Sequence, residues 1–153
     1  MNSEIIDASI ELELTVADLY FLFYESFPED SDFWWKMSLE EKSHAAILRS
    51  GKESFEPINI FPHELVYNSL SDLKNTIKSI REKIKEIKNN PISREEAFEL
   101  AIEIEQTAGE HHYQEFMTKT QNEPIIKLFQ KLNGADKDHT QKLLNYMAEK
   151  GMK

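Results

Sequence analysis

The segment SIELE at Ser9–Glu13 returns as AIEIE at Ala101–Glu105, 92 positions later. A second motif, a carboxylate followed three residues later by a histidine, also occurs twice, as EKSH at Glu41–His44 and as DKDH at Asp136–His139, 95 positions later. Motifs that recur in the same order indicate one structural unit present twice. Each half of the chain is therefore predicted to be a helix with an inward-facing glutamate, followed by a helix with carboxylate-x-x-His.

Proline residues lie between the periodic segments of the chain or in their first turn, and none lies in the interior of one. Because proline breaks helices, and because the chain has only 4 glycines and no alternating strand pattern, these segments are predicted to be helices. Ser93 and Glu96 fit a capping box at the start of the fourth helix, and Gly51 is expected to follow the end of the second. The five predicted helices span residues 3–27, 31–50, 62–89, 93–119 and 122–149.

Residues 1–153 are thus predicted to form one all-α domain, a four-helix bundle of two helix pairs, 3–50 and 93–149, with an additional long crossover helix, 62–89. The crossover helix has a narrow apolar seam and is otherwise polar, so it can cover one groove only. This seam either packs on its own bundle or pairs with a second copy of the chain, and a homodimer is expected. The seam consists of Val66, Leu70, Leu73, Ile77, Ile80, Ile84 and Ile87.

The composition excludes several classes of function. The 153 residues carry 18 Lys and Arg against 28 Asp and Glu, a net charge of −10, so nucleic acid and anionic membrane surfaces would repel the chain. The absence of cysteine excludes disulfides, zinc fingers, iron–sulfur clusters and rubredoxin-type centres. No apolar run is long enough to span a membrane, and the N-terminus lacks the features of a signal peptide. We therefore expect a cytoplasmic protein with no nucleic-acid or membrane partner.

Helical phase separates the glutamates of the repeated segments into two kinds. At ~100° per residue, positions three, four and seven apart share a face of a helix. By this measure Glu13 lies on the apolar stripe of the first helix, whereas Glu11 lies on the polar face. Glu105 lies on the apolar stripe of the fourth helix, and Glu103 lies on its polar face. The repeat therefore predicts one buried glutamate in each half.

The carboxylate-x-x-His motifs also fall on apolar stripes, so four carboxylates and two histidines are predicted to face one core. Burying an unpaired carboxylate costs several kcal/mol, and two divalent cations would compensate for four of them. One glutamate from each of two helices, with carboxylate-x-x-His from each of two others, is the ligand set of a dinuclear metal site in a helical bundle. The predicted metal ligands are Glu13, Glu41, His44, Glu105, Asp136 and His139.

This pattern resembles the rubrerythrin-like branch of the ferritin-like di-iron carboxylate proteins. The phrases at 101–105 and 40–45 are typical of that family, and the resemblance covers the four bundle helices, about two thirds of the chain. It implies a ferritin-like fold and two iron ions that reduce peroxide or oxidise ferrous iron. It also implies that Glu13 and His44 bind one iron terminally and that Glu105 and His139 bind the other. Glu41 and Asp136 would then bridge the two ions.

The chain departs from the family pattern in three places. Asp136 stands where glutamate is usual, and its side chain is shorter by one bond, ~1.5 Å, so it either bridges the metals or chelates one of them. Gly134 lies beside it in the same helix. There is no cysteine for a rubredoxin domain, and Ala108 stands where an additional glutamate is usual, so electrons are expected from an external donor. Carboxylate and imidazole ligands also suit manganese and zinc.

Three further residues bear on the site. Tyr20, seven residues after Glu13, fits a tyrosine that supports the ligands by a hydrogen bond. His112 is expected to pack in the core or to bond a carboxylate, because ~10.5 Å of helix separates it from Glu105. Glu110 is an alternative ligand to Glu105, but it is ~140° away around a continuous helix, which predicts the polar side.

Overall fold

The computed structural model describes residues 3–118, 123–133 and 138–152, and all regular structure in these ranges is helical. The predicted all-α class is confirmed. None of the helices in these ranges combines the length and apolarity needed to cross a bilayer. The helices are α1 (Ser3–Ser26), α2 (Ser31–Phe55), α3 (Leu70–Asn89), α4 (Arg94–Glu105), α5 (Ala108–Thr118), α6 (Pro124–Asn133) and α7 (His139–Glu149).

Helices α1 and α2 form an antiparallel hairpin around a single 3-10 turn at Pro28–Asp30. The rings of Tyr20 and Trp34 lie 5.4 Å apart near this turn. At the open end of the hairpin, Lys52 Nζ lies 2.5 Å from a carboxylate oxygen of Asp7. The two helices therefore remain in contact along most of their length.

Helix α3 runs beside α1 in the same direction. Lys74 and Glu11 line one groove between these helices, and Lys88 and Glu25 line the next one toward the α1–α2 turn. The chain thus leaves the open end of the first hairpin and returns to the turn before α4 begins.

The apolar seam of the crossover helix packs inside its own chain. Leu73, Ile77, Ile80 and Ile87 are each no more than 6% exposed and share a core cluster with α1 and α4. Of the two alternatives for the seam, packing on its own bundle is the one observed. A homodimer stays a prediction, because another surface would have to form it.

The predicted start of the crossover helix and the predicted end of the second helix are wrong. The crossover helix begins at Leu70, where Ser69 accepts a hydrogen bond from the Asp72 amide, and not at residue 62. Helix α2 continues through Gly51 to Phe55. Gly51 allows α2 to lie close to the ring of Phe129 on α6, because a Cβ atom at this position would be only 2.5 Å from that ring.

The fourth predicted helix starts as expected and then breaks. Ser93 and Glu96 form the predicted capping box. Instead of continuing to residue 119, the helix ends at Glu105, because the Thr107 amide and hydroxyl both bond the Ile104 carbonyl, at 3.0 and 2.6 Å, and tighten the last turn. A new helix, α5, then begins at Ala108.

The fifth predicted helix, 122–149, is described as α6 and α7. Asp138 caps α7 by accepting a hydrogen bond from the Gln141 amide at 2.9 Å. Gly134 and Asp136 lie outside the described residues. Tyr146 of α7 lies 4.3 Å, ring to ring, from Phe33 near the α1–α2 turn, so the last helix runs back toward that turn.

Two apolar clusters fill the core, one on each side of the predicted metal ligands. On α2, Trp34 and Met37 belong to the first cluster, and Ala45 and Leu48 belong to the second. The motif Glu41–His44 lies in the interval between them. The fold therefore places a polar layer across the middle of an apolar bundle.

Asp30 is the buried carboxylate that ties the second helix pair to the α1–α2 turn. It is 1% exposed and accepts hydrogen bonds from Arg94 Nε at 2.6 Å and from the Tyr146 hydroxyl at 2.8 Å. Burial opposes its ionisation, but the hydrogen bonds from Arg94 and Tyr146 outweigh burial and lower the pKa of Asp30 below its ordinary value of 3.8.

We expect Asp30→Asn to lower the free energy of unfolding by about 2–4 kcal/mol at pH 7, because Arg94 loses its charged partner. A carboxyl group with a lowered pKa stabilises the fold above its unfolded pKa and ceases to do so as the pH falls through the folded pKa. The deficit should therefore shrink below pH ~4. Urea unfolding at several pH values measures it, with exposed Asp32→Asn as control, and a deficit that stays constant down to pH 3 would contradict the assignment.

We also expect Gly51→Ala to cost about 1–3 kcal/mol, because the added methyl group would collide with the Phe129 ring. A second substitution, Phe129→Leu, should relieve the collision. The double variant should therefore lose less stability than the two single variants lose together. Thermal unfolding measures all three variants beside the exposed control Ser50→Ala. Strictly additive effects would show that the close contact is unimportant.

Candidate metal centre

Five of the six predicted ligands lie within the described residues, and the structure brings all five together. They form two groups that share one carboxylate, and within each group the ligand atoms lie within 4.8 Å of one another. The sixth, Asp136, lies outside the described residues. We call the groups site 1, which is Glu13, Glu41 and His44, and site 2, which is Glu41, Glu105 and His139.

Site 1 contains buried ligand atoms that lack hydrogen-bond partners among the described residues: Glu13 Oε2, Glu41 Oε2 and both ring nitrogens of His44. His44 Nδ1 lies 3.6 Å from each of the two oxygens, which is too far for a hydrogen bond. Ligand atoms that each lie ~2.1 Å from one cation are themselves ~3.0–3.5 Å apart. The two distances of 3.6 Å lie just above this range, and one ligand atom from each of the three residues lies within 4.8 Å of the others, so the group could close around a cation after a small adjustment.

Site 2 is held by hydrogen bonds between its members and their neighbours. His139 Nδ1 lies 2.7 Å from Glu41 Oε1 and 3.5 Å from Glu105 Oε2. The Tyr20 hydroxyl donates a short hydrogen bond to Glu105 Oε2, and Gln114 Nε2 donates one to Glu105 Oε1 at 2.5 Å. Tyr20 therefore lies where the sequence predicts, behind a ligand and touching it.

Without metal, protons balance the buried carboxylates. Burial opposes the charge on His44, but Glu13 and Glu41 outweigh burial and raise the pKa of His44 to about 10. Burial also opposes the charge on His139, while Glu105 and Glu41 hold its pKa well above the ordinary value. Burial, and then repulsion from Glu41, raises the pKa of Glu13. Because metal ligands must be deprotonated, a cation entering this core would displace protons.

Glu110 belongs to the same buried layer, and the prediction that it faces the polar side is wrong. It is 1% exposed, and its Oε1 has no hydrogen-bond partner among the residues described. Burial, followed by repulsion from Glu13 and Glu41, raises the pKa of its carboxyl group. The ~140° separation from Glu105 assumed a continuous helix, whereas the break before α5 resets the phase. Both glutamates therefore face the site.

Glu40 is a polar residue of the layer that sequence reasoning missed. It is 6% exposed, its Oε1 lies 2.9 Å from His139 Nε2, and it accepts hydrogen bonds from Lys142 Nζ at 2.7 and 2.8 Å. Burial alone would raise the pKa of Glu40, but its bonds to His139 and Lys142 lower it to about 2. Helical phase does indicate that Glu40 is buried, because Met37 and His44 lie on the same face of α2 as Glu40.

His112 lies apart from the ligands. Its Nε2 is 2.5 Å from the backbone carbonyl oxygen of Glu64, and its ring meets Tyr67 edge-on with 5.9 Å between centroids. The expected hydrogen bond to a carboxylate is therefore replaced by one to a backbone oxygen, which links α5 to the segment that precedes α3.

Comparison with protein-family models finds no match, and comparisons with curated proteins and with solved structures find no significant match. The buried carboxylates and histidines of sites 1 and 2 are therefore the main indication of what this chain does.

We expect Glu110→Gln to raise the stability of the metal-free protein by about 1 kcal/mol at pH 8, ~3 °C in melting temperature, because it removes an ionisable group from a core already rich in carboxylates. A carboxyl group with a raised folded pKa costs stability as the pH rises above its unfolded pKa, ~4.3. The gain should therefore grow with pH and vanish below pH ~4. Thermal unfolding with a chelator present measures it, and the exposed control Glu103→Gln should show no such trend.

Proposed function

We propose that this chain is a ferritin-like di-metal carboxylate protein of rubrerythrin-like type that holds two divalent cations in its core. The observation that carries the proposal is a buried group of three ligand atoms without hydrogen-bond partners among the described residues, Glu13 Oε2, Glu41 Oε2 and His44 Nδ1. Buried carboxylate oxygens without hydrogen bonds destabilise a core unless a positive charge compensates them. The donor set, carboxylates with imidazole, suits iron, manganese and zinc.

Each ligand has a part in this proposal. Glu41 belongs to both groups and would hold the two cations together, since its two oxygens face different histidines. The terminal ligands would be Glu13 with His44 and Glu105 with His139, with Asp136 as a further ligand of the second cation. Glu110 is an additional carboxylate within the layer, available to either cation.

The proposed activity is redox chemistry on a small oxidant. Two ferrous ions held by these residues would supply the two electrons that, with two protons, reduce hydrogen peroxide to two water molecules, or that, with two protons, reduce dioxygen to hydrogen peroxide. The described ligands are all no more than 2% exposed, so a reactant must be as small as dioxygen or peroxide. No cysteine is present among the 153 residues to build a rubredoxin site, so the proposal includes an external electron donor.

The supporting residues would control where protons and charge lie. Tyr20 and Gln114 each donate a hydrogen bond to Glu105, which holds that carboxylate in one orientation. The apolar clusters above and below the layer exclude water and strengthen electrostatic interactions within it. Protons displaced from His44 and His139 would have to leave the core when cations enter.

The test is anaerobic titration with ferrous iron, with metal content per chain measured by mass spectrometry. Wild type should bind about two iron ions per chain. Glu13→Gln should bind about one, because the amide keeps the shape of the side chain and removes its charge. Loaded wild type should then oxidise its iron on addition of dioxygen or peroxide, which is followed by ultraviolet absorbance.

The matched control is Glu11→Gln, which changes an exposed glutamate of the same helix and should leave both iron ions in place. Tight binding of two ions with no reaction toward either oxidant would instead assign the chain to metal binding without turnover. Absence of metal from wild type, with unchanged helicity and melting in Glu13→Gln, would overturn the proposal and leave a structural helical module.

A further inference from the structure

We propose that Glu40 and Lys142 are a positioning pair that holds His139 ready to bind through Nδ1, and that site 2 therefore fills with metal before site 1. This inference rests on the proposed function, because it assumes that cations enter the two sites. It adds an order of loading and assigns a role to two residues outside the ligand set.

The pair fixes the orientation of the His139 ring. Nε2 lies 2.9 Å from Glu40 Oε1, while Nδ1, on the opposite side of the ring, faces Glu41 and Glu105. A carboxylate that accepts the Nε2 proton selects the tautomer whose Nδ1 lone pair is free for a cation. Nδ1 now bonds Glu41, so a cation that displaces the Nδ1 proton would meet a ring that Glu40 already holds in place through Nε2.

Lys142 in turn holds Glu40. Its Nζ donates to both carboxylate oxygens, at 2.7 and 2.8 Å, from one turn further along α7 than His139. The Lys142 side chain is 33% exposed, whereas the Glu40 side chain is 7% exposed. The ammonium group thus neutralises the carboxylate at the edge of the core and links α2 to α7 beside the site.

His44 of site 1 has no comparable support. Neither of its ring nitrogens has a hydrogen-bond partner in the described part of the chain, and its closest ring neighbour is Tyr113, stacked at 4.5 Å. Stacking restrains the plane of the ring but does not select a tautomer. His44 Nδ1 faces Glu13 and Glu41, but among the described residues nothing accepts a hydrogen bond from Nε2, and the absence of such a partner weakens metal binding relative to site 2.

The test is titration of the metal-free protein with Zn²⁺ in competition with a chromophoric chelator. Wild type should bind two ions in two steps that differ in affinity by about tenfold or more, since a partner behind a metal-binding histidine is typically worth 10–100-fold. Glu40→Ala should weaken the tight step by about 10–100-fold and leave the weak step unchanged. Lys142→Met should weaken the same step, while Glu13→Gln should remove only the weak one.

A second readout separates positioning from a general loss of packing. The Nε2 proton of His139 should be visible by ¹⁵N NMR in the protein with one Zn²⁺ bound, because Glu40 shields it from exchange. It should disappear in Glu40→Ala and return in Glu40→Gln, whose amide oxygen still accepts that hydrogen bond. The exposed control Glu53→Ala should leave both the NMR signal and the two affinities unchanged.

The outcomes distinguish this inference from the proposed function. Two Zn²⁺ ions bound with equal affinity, or a tight step that Glu40→Ala leaves within twofold of wild type, would overturn the loading order and the positioning role while the di-metal proposal stands. Loss of the weak step in Glu40→Ala would also overturn it. Wild type that binds no Zn²⁺ would overturn both.

Discussion

The fold depends on the burial of Glu41, a carboxylate with no exposed surface at the centre of a helical bundle. A charge in that position requires compensation from every side. One of its oxygens bonds His139 of the last helix, and the other lies 3.6 Å from His44 of its own helix. Helices α1, α2, α4, α5 and α7 each contribute a buried polar residue to this layer, so the two halves of the chain meet there.

The rest of the bundle keeps that layer dry and fixed. Apolar clusters lie on both sides of it, and the Asp30–Arg94 ion pair fastens the second pair of helices to the first at one end. The break between α4 and α5 brings two glutamates, Glu105 and Glu110, to the layer from what would otherwise be opposite sides of one helix. An interruption of regular structure thus increases the number of carboxylates facing the core.

Helical phase assigned the glutamates of the repeated segments to the buried or the exposed face correctly, and it failed at Glu110, where the helix is interrupted. It separated Glu13 from Glu11 and Glu105 from Glu103 correctly, because α1 and α4 are regular at those positions. It misplaced Glu110, because the turn at Thr107 depends on a local side-chain hydrogen bond rather than on hydropathy. The link from Glu40 to α7 joins residues far apart in the chain, so a single sequence gives no direct sign of it. The all-α class followed from the prolines and the helical periodicity, whereas the exact helix limits depended on contacts such as that of Gly51 with Phe129.

The residues that meet in the polar layer lie far apart in the sequence, and this distance affects the order of folding. The Tyr20–Glu105 bond joins residues 85 positions apart, and the Glu41–His139 bond joins residues 98 apart. The α1–α2 hairpin, by contrast, closes through a three-residue turn. Short-range contacts form early and long-range closure comes late, so the hairpin should assemble first and the layer last. The layer becomes complete only when α7 has docked, and a protein truncated before that helix keeps the hairpin but cannot complete site 2.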